Sequence, residues 1–133
     1  MDTSKKEELR KQNFEKTKNI LVGFMIHNIE QRTGGHFEYD DQMADDAQKH
    51  AEHMVLQGKQ LKTPEHYLYS DELIGSIRVP KHNIKLGLFK LIDEWFKYEA
   101  NRQRVKNAKK MGIGIGMKQD QDKTQLFATK RMM

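Results

Sequence analysis

Between residues 39 and 58 the apolar positions fall at helical spacing. Met43, Ala44, Ala47, Ala51, Met54 and Val55 make one stripe. Asp40 or Asp41 is placed to cap the start, where an acid also suits the positive end of the helix dipole. Gly58 stands where a left-handed residue would close the segment. A stripe made mostly of alanine and methionine lets a neighbouring element come close, so this segment reads as a central packing helix. Its two histidines, His50 and His53, are expected to face solvent.

The pattern elsewhere predicts three more kinds of element. Residues 4–31 read as a long helix with a charged, frayed lead-in over 1–10; Leu9, Phe14, Thr17, Leu21, Phe24 and Met25 lie on one side, with Ile20 and Ile29 close by. Thr33, Gly34 and Gly35 break it, and 36–39 alternate enough for a short extended piece. After Gly58 the chain is irregular through Pro64, which disfavours a helical Thr63. Residues 71–77 fit either a short helix or an extended turn. A third helix is expected over 83–100, where Leu88, Leu91, Ile92, Trp95, Phe96 and Glu99 recur at helical steps, and Gly87 weakens its first turn by about 1 kcal/mol. A last short turn fits 101–110. From Met111 the period changes to two, with Met111, Ile113, Ile115 and Met117 alternating with glycines, then a polar loop and a returning strand. This is a β-hairpin whose glycine face should lie against something close in backbone.

At 133 residues the chain fits one domain, with enough core to fold without metal or disulfide. It has no cysteine, which removes thiol and disulfide chemistry. The opening residues have no apolar core for a secretory signal, and the apolar run 20–26 is too short to cross a bilayer. A cytoplasmic or peripheral membrane protein is expected, or an extracellular one if a leader was removed. Net charge is +5 and unevenly spread: residues 1–66 carry 10 Lys/Arg against 12 Asp/Glu, residues 67–133 carry 14 against 7. Lys97, Arg102, Arg104, Lys106, Lys109 and Lys110 supply much of the excess, with Glu99 the one acid among them. Such a run attracts anionic lipid, nucleic acid or an acidic protein surface.

Catalytic grammar is sparse. G-I-G-I-G lacks the strand-to-helix turn of a dinucleotide site, and H-A-E-H is not the H-E-x-x-H of a zinc protease. Asp46, His50 and His53 share one helix face and are the best metal constellation, but zinc normally draws ligands from more than one element. Glu72 and Glu99 could pair as carboxylates in a cleft, one kept protonated by the other's charge. Nothing in the chain asks for a cofactor.

The ordered set of His27-Asn28, the stretch from Phe37 to Lys62, D-E-L at 71–73, W-F-K-Y-E at 95–99 and K-K-M-G-I-G-I-G before a final strand resembles the CAP superfamily. That superfamily comprises cysteine-rich secretory proteins, antigen 5 and pathogenesis-related 1, and the likeness is nearest to its cysteine-free, Golgi-associated branch. The resemblance implies an α+β fold, an α-β-α sandwich: a small antiparallel sheet with a C-terminal hairpin, packed by about three helices. It also implies a cleft where two His and two Glu hold a divalent metal in many members. Here Thr63 stands for the first His, Glu72 is kept, Tyr98 stands at the second Glu with Glu99 one place late, and the segment bearing the second His is missing. His66 is near the vacancy, but off the motif's spacing.

The expectation is therefore a degenerate, non-enzymatic CAP-like binding module. Lipid or sterol, an anionic membrane surface or a protein, a homodimer included, are the implied partners. A metal-assisted hydrolase using Glu72, Glu99 and a histidine is the alternative. Nucleic-acid binding through 97–110 ranks last, since that run lacks aromatics at stacking spacing.

Overall fold

The computed structural model describes residues 3–62, 71–120 and 123–132. Its centre is the glycine-bearing hairpin. Strands β3 (Lys110–Asp120) and β4 (Lys123–Met132) pair antiparallel, with Ile115 opposite Ala128. β2 (Asp71–Pro80) adds antiparallel to the far side of β4. The two-residue β1 (Glu38–Tyr39) pairs parallel with the start of β3, so the sheet order is β1-β3-β4-β2 and the sheet is mixed. Residues 71–77, undecided from periodicity, are strand.

Four helices complete an α-β-α sandwich. α2 (Asp41–Gln57) covers one face. α1 (Thr3–Thr33), α3 (Ile84–Phe96) and α4 (Glu99–Asn107) form the opposite layer. The helix expected over 83–100 ends at Phe96, and what read as a last short turn is nine-residue α4, anchored in the core by fully buried Val105.

α2 keeps its expected punctuation. Asp40 accepts a hydrogen bond from the Met43 N–H at 2.9 Å, a cap worth about 1 kcal/mol. Gly58, at φ 71°, closes the helix by donating to Met54 O, with the Lys59 N–H joining the same carbonyl. Between these caps Met43, Ala47, Ala51 and Met54 are buried on the sheet. The match with β3 is backbone on backbone: a Cβ at Gly112, Gly114 or Gly116 would overlap the main chain of Ala44, Ala47 or Ala51 in turn. The alternation of β3 thus gives each face a different job.

The other face carries the larger core. Met25, Ile29, Leu88, Ile92, Trp95, Ile113, Ile115 and Leu126 are buried there, each contributing roughly 1.5–3 kcal/mol of transfer free energy. α1 joins this core only from Leu21 onward. Its first half runs free of the sheet, leaving Leu9 and Ile20 exposed.

Candidate functional site

On the α2 side, β2 presents Glu72 toward His50. The Nε2–H of His50 donates to Leu61 O at 2.5 Å, and the same nitrogen lies 3.8 Å from Glu72 Oε1. His50 is buried, 8% exposed, which corrects the expectation that it faces solvent. The cause is its position: three residues after Ala47 and four before Met54, it belongs to the packing stripe. His53 does face solvent, one turn along.

With Nε2 donating to a carbonyl, His50 could reach a metal only through Nδ1. Asp46 accepts from Gln42, and no group of three or more His, Cys, Asp or Glu able to hold a metal occurs among the described residues. Thr63, Pro64 and His66 lie outside the described residues.

Glu99 stands elsewhere. It opens α4 in the opposite layer, exposed, where it accepts from Gln103 at 3.0 Å and from Arg102. The Gln103 hydrogen bond, then that of Arg102, holds its carboxyl below the usual carboxylate range. Glu72 and Glu99 therefore share no cleft, and the expected carboxylate pair does not form. The reason is the break at Lys97 and Tyr98, which starts a new helix and carries Glu99 away from the β2 side.

The basic run is displayed. Lys97, Arg102, Arg104, Lys106 and Lys109 are exposed, and Lys110 is half-buried at the start of β3. Arg102 also donates to Phe96 O at 2.7 Å, tying the α3–α4 corner. Leu86 and Phe89 on α3, and Tyr98 before α4, leave apolar surface in water, with the Arg32 guanidinium over the Phe89 ring. Trp95, by contrast, is buried: its indole N–H donates to Ile74 O at 3.0 Å, on the outer edge of β2. It lines a groove of about 520 Å³ between that edge and α3, with Lys90 and Glu94 at its rim.

Two further residues carry the site's frame and were missed in the sequence. Gln48 is buried under the sheet, accepting from Ile115 N–H and donating to Ile115 O, each at 2.8 Å. It thereby completes the edge of β3 that short β1 leaves open. Its signal was positional, since it sits four residues after Ala44 and three before Ala51. Lys130 is the second. Its side chain points into the apolar core beside the Phe37 ring, Nζ 5.6 Å from the centroid, with no hydrogen bond. Burial lowers its pKa from 10.5 to about 7.

Comparison with known proteins follows the same architecture. No family model matches the chain, and no curated protein sequence does. Solved structures do. MpPR-1i is 17% identical over 89% of this chain and 87% of its own, with a TM-score of 0.51. Schistosoma mansoni venom allergen-like protein 4 is 10% identical over 86% of each chain, TM-score 0.50. An extracellular protein containing an SCP domain from Bacillus anthracis matches 86% of this chain with 41% of its own, 14% identical, TM-score 0.52. The chain has the CAP fold. The resemblance read from the motifs holds at the level of the fold.

Proposed function

We propose that this CAP-fold domain is a non-enzymatic binding module that engages an anionic lipid surface through α4 and its flanks. One observation carries the reading: α4 buries only Val105 and turns Arg102, Arg104 and Lys106 outward, flanked by exposed Lys97 and Lys109. Each cation near an anionic membrane contributes about 1 kcal/mol of attraction. Exposed Leu86 and Phe89 on neighbouring α3 favour an interfacial surface over a nucleic acid. The hydrolase alternative loses support because its carboxylates stand in different layers and His50 holds a carbonyl.

Vesicle co-sedimentation tests the reading. Binding to phosphatidylserine-containing vesicles at low salt is expected to exceed binding to pure phosphatidylcholine and to fade as salt rises. Equal binding to both vesicle types at low salt would sink it.

A further inference from the structure

The α2 face of the sheet is longer than α2. Across the three long strands, side chains on this face fall in rows fixed by register. Ser76, Phe127 and Gly116 form one row, Arg78, Gln125 and Lys118 the next, and Pro80 and Lys123 the last, with Asp120 the register partner of Lys123. The helix covers the first row, where Phe127 packs on Ala51 and Met54. It stops at Gly58, and the next two rows lie beyond it. The result is a cleft of about 190 Å³ bounded by Gly58, Arg78, Lys118, Lys123, Gln125 and Phe127.

We propose that this cleft binds a phosphate-class anion. Neighbouring strands are about 4.8 Å apart, so Arg78 and Lys118 flank Gln125 with roughly 10 Å between their Cα atoms. Both side chains are long enough to close on one tetrahedral anion set between them. Lys123, two residues before Gln125, approaches from the hairpin end. Gln125 gives one N–H to Ser76 Oγ and keeps a second donor. Arg78 also makes an interaction within the protein, and a guanidinium has five N–H donors to share.

Helix capping does not account for the cluster. Cations often gather at a helix C-terminus to meet its open carbonyls, but here the Met54 and Val55 carbonyls already accept from Gly58 and Lys59. Register gathers three cations beside one cleft, and a dianion set among them is attracted by each. The site is on the opposite layer from α4 and stands independently of the membrane reading.

Titration calorimetry with inorganic pyrophosphate at low ionic strength tests it. Saturable binding is expected, weakened about tenfold by Lys118→Gln and likewise by Lys123→Gln, the scale of one charge-assisted hydrogen bond. Lys106→Gln on α4 makes the same charge change and should leave binding within about twofold. All three positions are exposed, so thermal melts should coincide and separate lost binding from lost fold. Phosphatidylcholine vesicles containing phosphatidic acid separate the sources. A Lys118→Gln defect on these vesicles assigns the site to a lipid headgroup, and a defect with pyrophosphate alone assigns it to a soluble phosphate ester. No saturable pyrophosphate binding at millimolar concentration, or an equal loss in Lys106→Gln, overturns the site.

Discussion

The two faces of the sheet are held by opposite means. Against α2, glycines in β3 meet the main chain of Ala44, Ala47 and Ala51, so the layers touch backbone to backbone and polar anchors fix the register. Against α1, α3 and α4, large side chains fill the space, and one of them is a lysine without a hydrogen bond. The first face depends on the absence of volume and the second on its presence. A substitution that adds a side chain should thus be ruinous on one face, and one that removes a charge should be beneficial on the other.

The largest effect is expected at Ala47. Ala47→Lys puts a long cation where Gly114 leaves no room, adding the cost of burying an unpaired charge to steric overlap. The variant should give no cooperative thermal melt; a melt near wild type would show that α2 can lift off the sheet cheaply. On the other face, Lys130→Met should stabilise. Because the folded pKa, about 7, lies below the ordinary 10.5, the unfolded chain binds more protons between these values. Wild-type stability should therefore rise from about pH 7 toward 10.5 and stay level, for this group, below about pH 7. Lys130→Met should lack this rise and, near neutral pH, gain on the order of 2–5 kcal/mol in urea melts. The comparison is best read below pH 10, since burial also raises the Tyr39 pKa and its titration acts in the opposite direction there. A wild type as pH-insensitive as the variant would mean that water reaches Nζ.

Smaller effects probe the polar anchors. Gln48→Leu leaves both backbone groups of Ile115 without their partner and should cost about 2–4 kcal/mol in the same melts. His50→Ala removes the donor to Leu61 O and should cost about 1–2 kcal/mol, whereas His53→Ala should be silent. Equal effects at the two histidines would return His50 to the surface.

What could be read in advance follows the same division. α2 was legible almost to the residue because its caps are local, at Asp40 and Gly58, and the hairpin because its period of two is strict. β2 was not. A strand covered on both sides buries Leu73 and Val79 in one core while Ile74 packs against the other, so no clean alternation marks it. α4 gave little signal, since Val105 is its one buried residue. At the site, Glu72 was paired with Glu99 in the reading of the motifs, whereas the fold sets it beside His50. The wheel positions of Gln48 and His50, both on the alanine stripe, were the clue that polar residues there must face the sheet.

The functional claim depends on which layer meets an anionic surface. The direct measurement compares two multiply neutralised variants on phosphatidylserine vesicles at low salt: Lys97, Arg104, Lys106 and Lys109 each changed to Gln, and Lys118 with Lys123 changed to Gln. The first should lose most of its binding and the second should keep most of it. Wild-type binding by the first variant would contradict the assignment of α4 as the membrane-facing element.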